Sequence, residues 1–486
     1  MKIHEKGFRS SVKLITYNKY KKNRKIKYLI CLILSIALAP NIIAEKVYDI
    51  RKFGATTNAN KINTIAINSA IEACTAGGGG KVLIPKGSYI TGTIILKDNV
   101  QLYLEEGAVL NATTNLNEYQ SYIPTKDLSK FTTNVADNVN SSLDPHWTRA
   151  LILAVGTNNV SISGEGIING NHVFDAQGEE KMRGPHTVII AESRNFSMSG
   201  ITINCAANYA FLGYLLENVV FHNLEINEGW DGIHIRGGKN ITIRNCRFQT
   251  GDDAIAGGYW ENMVITDCYI NSSCNGIRMI MPAENLTISN CDFIGPGKYS
   301  HRTSKEKMRT NTLSAILLQP GAWGIAPGEV KDVHIQNINI DNVNNPFMIV
   351  LNEGNEGKNI FIENMQATNI NLAALSIESW KGGMFENVVL RDISIESIGD
   401  NKTGLSNSQI EHPQFDSRPL PCWGGLIRNV HNISFKDVKL TYRGVESRPA
   451  LWFDNVTGVT FNNFKYQENK NDNPIVKINV GTFTTK

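Results

Sequence analysis

The sequence predicts an all-β fold: a right-handed single-stranded parallel β-helix with a short N-terminal capping helix. Three observations carry that expectation. One phrase recurs about every 22 residues, each copy alternates apolar and polar residues like a strand, and one amphipathic helical segment precedes the series.

The phrase begins with Asn or Asp and ends with Asn, Asp or Gly. It reads NVSISG from Asn159, NFSMSG from Asn195, NVVFHN from Asn218, NITIRN from Asn240, NMVITD from Asn262 and NLTISN from Asn285. It continues as DVHIQN from Asp332, NIFIEN from Asn359, NVVLRD from Asn387 and NISFKD from Asn432. From Asn195 to Asn285 the steps are 23, 22, 22 and 23 residues. A unit this small cannot bury its own apolar face, so neighbouring units must stack, with about 4.8 Å between coils. Turn asparagines can then hydrogen-bond to their equivalents in the next coil. Cys246, Cys268 and Cys291 keep the same beat and are expected as a buried column, because free cysteine packs as a small hydrophobe.

Ahead of the repeats, NTIAINSAIEAC (residues 63–74) puts Ile67, Ala70, Ile71 and Cys74 on one helical face. An Asn/Thr cap precedes it and glycines 77–80 end it. Such a helix would cover the open end of the stack, otherwise a bare sheet edge. After Asn285 the steps lengthen, so some coils carry inserted loops. Residues 295–312, GPGKYSHRTSKEKMRTNT, are one such insertion, and loops on a rigid scaffold commonly wall a binding groove.

Composition narrows the function classes. The chain has 486 residues, 42% hydrophobic and 19% charged, with a net charge of +3. No basic face suggests nucleic acid. Residues 19–27, KYKKNRKIK, precede an apolar run over 28–40 and a small residue at Ala44. This is the pattern of a cleaved signal peptide, so residues 1–44 are expected as a leader and 45–486 as one domain, secreted or periplasmic. The apolar run is short for a membrane span, and no other segment suits one, so no membrane span is expected in the mature chain. Seven cysteines remain beyond Cys31, an odd number, and neither HExxH nor paired CxxC occurs. No metal and no organic cofactor are expected, and the chain is expected to act as a monomer.

The period also selects a candidate site. Twenty-two residues before Asp253 lies Asp231, in GWDGIHI, and 22 residues after it lies Asn275, in CNGIRMI. Asp231, Asp253 and Asn275 should therefore share a column, with Asp252 beside it. Three carboxyls on two adjacent coils cannot all ionise easily, so the proton affinity of one should rise. A protonated carboxyl beside ionised ones is what glycoside hydrolysis uses. A solvated Asp-Asp turn and a calcium site are the competing readings of the same residues. Arg278 falls in the column of His234. With Asn275, Gln319 and Trp323 these are the candidate substrate-binding residues. Trp230, Trp260, Trp323 and Trp380 are candidate sugar platforms, with buried packing the ordinary alternative for tryptophan.

At these motifs the chain resembles the polygalacturonase family of glycoside hydrolases, β-helix enzymes that act on pectin. The run FGATTNANKINTIAINSAIEACTAGGGGKVLIPKGSYITGTIILKDNVQLYLEEGAVL, residues 53–110, is similar to the family's N-terminal region. The family's further motifs are Asn-Thr-Asp, Gly-x-Asp-Asp, Gly-His-Gly and Arg-x-Lys. Asp231 matches the aspartate of the first, with Gly229 and Trp230 in place of its Asn and Thr. Gly251, Asp252 and Asp253 match the second. The resemblance implies Asp252 as general acid, with Asp231 and Asp253 activating water in an inverting reaction on a pectic polysaccharide. Asn275 stands where the third motif has its His, and the fourth motif is absent downstream. A β-helix lyase acting on uronates and a non-catalytic carbohydrate-binding β-helix are the two alternatives.

Overall fold

The computed structural model describes residues 46–131, 142, 144–302, 308–399, 409–413, 416 and 418–486. The leader expected over residues 1–44 lies outside the described residues. Among those described, 31 strands form one continuous sheet, and every strand pairing is parallel except Gln120–Ser121 with Arg149–Val155. The chain is a right-handed parallel β-helix. No helix among the described residues is long and apolar enough to cross a membrane.

The coils follow the sequence period. Strand Ile233–Arg244 pairs with Phe211–His222 on one side and Ile255–Thr266 on the other, each offset by 22 residues. Within one column Ile233, Ile255, Ile277 and Ile316 are register partners and fully buried. Each adds its apolar area to one core that runs the length of the stack. Their neighbours in sequence point outward, following the period-two pleat.

Asparagine sets the corners. Asn195, Asn218, Asn240, Asn262 and Asn285 all have φ of 55–57°, the left-handed region that other L-residues enter at a cost and Asn tolerates. Each side-chain amide donates to the Asn one coil earlier: Asn240 to Asn218 at 2.9 Å, Asn262 to Asn240 at 2.9 Å and Asn285 to Asn262 at 2.8 Å. A second ladder joins Asn245 to Asn223, Asn290 to Asp267 and Asn337 to Asn290. Cys246, Cys268 and Cys291 are buried free thiols one coil apart.

The helix spans Thr64–Ala76 and buries Ala66, Ile67, Ala70, Ile71 and Cys74, closing the N-terminal end of the core as the pattern predicts. Its start differs in detail. Asn63 makes no capping bond; its Oδ1 accepts from the Thr56 amide and its Nδ2 donates to the carbonyls of Lys61 and Ile90. It ties the entering loop to the sheet instead.

Candidate active site

Asp231, Asp252 and Asp253 meet on the outer surface of the coil at one cleft. The register that pairs Ile233 with Ile255 and Ile277 places Asp231, Asp253 and Asn275 in one column. Oxygens of the three carboxylates lie within 4.8 Å of one another. The backbone of Asp252 is held fast, its carbonyl accepting from Thr250 Oγ1 at 2.8 Å and Ser272 Oγ at 2.7 Å. Gly251 is required beside it. A Cβ there would collide with the Gly229 carbonyl and lie 2.8 Å from that of Ser300, so the inserted loop packs directly on this turn.

The environments of the carboxyls differ. Burial, together with repulsion from Asp252 and Asp253, pushes Asp231 well above the usual carboxylate range. Burial also raises Asp253, despite Arg278 Nη1 at 3.5 Å from its Oδ2. Burial alone would raise Asp252 too, but His301 and Arg183, each 3.4 Å from its Oδ2, hold it well below the usual range. His301 responds in the opposite sense: burial lowers it, and Asp252 more than restores it, leaving it above its ordinary value. In this geometry Asp252 is inclined to stay ionised and His301 to stay protonated beside it.

His234 lines the cleft in a fixed tautomer. Arg236 can only donate, and its Nε reaches His234 Nε2 at 3.0 Å, so the ring proton sits on Nδ1 and points to Asp231 Oδ2 at 2.7 Å. The ring stacks on Tyr209 at 4.8 Å, and burial with Arg236 nearby keeps it neutral. Arg278, two coils along the same column, also lines the cleft; its Nη2 lies 3.4 Å from Asp416 and its guanidinium 5.1 Å from the Trp323 ring centre.

Two expected contact residues stand elsewhere. Asn275 is fully buried beneath the cleft, where its amide donates to Asp253 Oδ1 at 2.9 Å, so it orients a carboxylate. Gln319 is also fully buried and donates to the Pro413 carbonyl at 3.1 Å; it does not line the cleft, because a returning segment covers that part of the sheet. Of the four tryptophans, Trp323 lines the cleft. Trp230 is buried with Arg183 over its face at 3.6 Å and His301 against it at 5.8 Å. Trp260 is in the core, bonded to the Ile235 carbonyl, and Trp380 packs against Arg428.

Apart from Arg236, which lies on strand Ile233–Arg244, the charged residues that sequence reasoning missed come from loops. Glu179 and Arg183 arrive on the segment ahead of His186–Ala191, and burial pushes Glu179 up to about 7. His301 and Arg309 come from the 295–312 insertion, and Asp416 from a later one. Period arithmetic marked 295–312 as an insertion but could not say which side chain turns inward.

The cleft has a volume of about 160 Å³ and opens to solvent. Its three aspartates form an oxygen set that a hard cation could use, whereas Asp252 with Cys274 and His301 is a mixed set of the kind a transition metal takes. Arg183, Arg278 and His301 already supply positive charge beside those oxygens. The arrangement suits proton transfer: two carboxyls inclined to keep their protons, one held ionised, and an imidazolium against the latter.

A β-helix with an acidic cleft on its outer sheet defines the class of the molecule, a pectate-lyase-like fold. Residues 47–295 match the family described as rhamnogalacturonase A/epimerase, pectate lyase-like, and the chain belongs to that family. It is similar to an exopolygalacturonase of Arabidopsis thaliana, 25% identical over 393 residues, which cover 76% of this chain and 82% of that one. It is also similar to a polygalacturonase of Nicotiana tabacum, 23% identical over 408 residues, covering 77% and 91%. Among solved structures, the family 28 exopolygalacturonase of Yersinia enterocolitica superposes with a TM-score of 0.55 at 15% identity, over 90% of this chain and 78% of that one. The surface protein and adhesin PfbA of Streptococcus pneumoniae gives 0.53 at 16% identity, over 90% and 100%. These superpositions establish the fold alone.

Proposed function

We propose that the protein is an exported glycoside hydrolase that cleaves a pectic polysaccharide with Asp231, Asp252 and Asp253. The observation that carries this reading is the convergence of the three carboxylates on adjacent coils in one cleft. Polygalacturonases among the relatives support pectin as the substrate class. The basic and apolar leader pattern in residues 1–44 supports export.

In the proposed reaction Asp252, with His301 behind it, protonates the leaving glycosidic oxygen. The proton passes from His301 Nε2 to Asp252 Oδ2 as the bond breaks, so an acid that is ionised at rest is still supplied. Asp231 or Asp253, in its ionised form, takes a proton from water. The water oxygen bonds to the anomeric carbon as the carbon–oxygen bond to the leaving sugar breaks. Arg183, Arg278 and Arg309 offer cations to a uronate carboxylate, replacing the Arg-x-Lys motif that the chain lacks. A uronate bound there would also weaken the hold of these arginines on Asp252 and raise its proton affinity toward that of a working acid.

The resemblance implies inversion at the anomeric carbon. Proton NMR of the first-formed anomer tests that stereochemistry.

Reducing-sugar release should be measured over polygalacturonate, rhamnogalacturonan and neutral glycans. Release from at least one pectic substrate, without an unsaturated ultraviolet-absorbing product, is expected. An unsaturated product lost with chelator would replace hydrolysis with lyase chemistry. Binding without release would make the protein a lectin-like β-helix.

A further inference from the structure

The column of outward positions that contains His234 and Arg278 changes character along the stack. Leu212, His234, Ala256, Arg278, Leu317 and Met348 are successive register partners. Only the middle three belong to the cleft. Leu212, Leu317 and Met348 are fully buried although they lie on the outer face, so other segments cover them. An open groove for a through-running polysaccharide would leave that face accessible on both sides.

The covering segments are identifiable. On the N-terminal side Leu212 packs in a cluster with Tyr122, Leu128, Phe131 and Trp147. This cover is pinned to the cleft wall: Arg236 Nη1 donates to the Phe131 carbonyl at 3.1 Å, and the Trp147 ring stands edge-on to Tyr209 at 5.2 Å. On the C-terminal side Leu317 and Met348 pack with Val350 and Trp380. There the returning segment is fastened by Gln319 to the Pro413 carbonyl and by Arg418 to the fully buried Glu378 at 2.8 Å. Asp416 of the same segment reaches Arg278 at the edge of the cleft.

The two lateral sides are walled as well. Arg183 and His301 come from loops that precede the cleft strands in the coil, and Trp323 from a loop that follows them. Among the described residues, three coils of this column, about 14 Å along the axis at the spacing between parallel strands, line the cleft.

We propose that the cleft is a closed-ended pocket that admits a chain terminus, so that the enzyme is exo-acting and trims pectic chains from one end. The proposal rests on the hydrolase reading above and adds its mode of attack. The walls exclude internal segments because a chain continuing past the cleavage point along the coil axis would have to displace Phe131 and Trp147 on one side or Pro413 and Arg418 on the other.

The test uses the full protein with polygalacturonate labelled fluorescently at its reducing end, and with labelled rhamnogalacturonan in a parallel arm. Early in the reaction, chain-end attack gives labelled chains shortened by one or two units, or a small labelled product if the reducing end enters, while viscosity stays near its starting value. A broad ladder of labelled fragments with rapid loss of viscosity shows internal cleavage and overturns the proposal while leaving the hydrolase reading intact. No bond cleavage in either arm removes the hydrolase reading, and the mode of attack with it.

Discussion

Asp231 sits where a carboxyl is costly at neutral pH: buried, and facing two like groups that raise its proton affinity. Its folded value lies above the unfolded one of about 3.9, so its contribution to stability is complete below that pH and is lost as pH rises toward the folded value. Asp231→Asn keeps an acceptor for His234 and removes the penalty. Thermal melts should therefore show the variant more stable than wild type at pH 7 and level with it near pH 3.5, while turnover is lost. Lower stability at both pH values would show that the cluster is not under electrostatic strain. His301 makes the complementary case. Its raised value means that its pairing with Asp252 stabilises the fold below about pH 6.5 and fades as pH climbs through the folded value. In catalysis the pair keeps its proton further into the alkaline range than Asp252 alone could. His301→Gln should lower kcat by about 10²-fold, leave KM nearly unchanged and move the alkaline limb of the kcat/KM profile to lower pH. An unmoved limb would reduce His301 to a packing residue.

Two kinds of element build the molecule, and they differ in how openly the sequence displays them. The coils repeat, so the phrase around each corner asparagine declares both the strand and its register, and the Asp231–Asp253–Asn275 column follows from counting. The same period gave Arg278 its place beside His234. Loops carry no register. Arg183, His301 and Asp416 reach the cleft from three segments whose paths depend on tertiary contacts, such as the packing of the 295–312 insertion on Gly251. Gln319 shows the converse. The sequence offered it as a sugar contact, and the Pro413 segment covers it. The corner ladder itself is open to test. Asn262 holds a left-handed backbone, donates to Asn240 and accepts from Asn285. Asn262→Ala should cost about 1–3 kcal/mol in urea unfolding, from the backbone conformation and two lost side-chain bonds, with kcat preserved because the corner lies away from the cleft. A change below roughly 0.5 kcal/mol would show that strand pairing alone sets the corners.

At the scale of the whole molecule, the stack is a rigid ruler. Its core runs unbroken from the capping helix to the last strands, so side chains 22 residues apart are brought within a few ångströms without any moving part. Rigid placement of this kind lets a cluster of like charges persist, since the fold has no inexpensive way to separate them. The covers at either side of the cleft convert one stretch of that long face into a site and take the rest out of use. The central claim, that the aspartates brought together by the coil period perform hydrolysis, is tested most directly by the initial rate of reducing-end release from the preferred pectic substrate, for wild type and for Asp252→Asn of unchanged circular dichroism. The account predicts a fall of about 10²–10⁴-fold in kcat for the variant. A variant that matches wild type to within about threefold would contradict it, because losing a general acid costs far more than that.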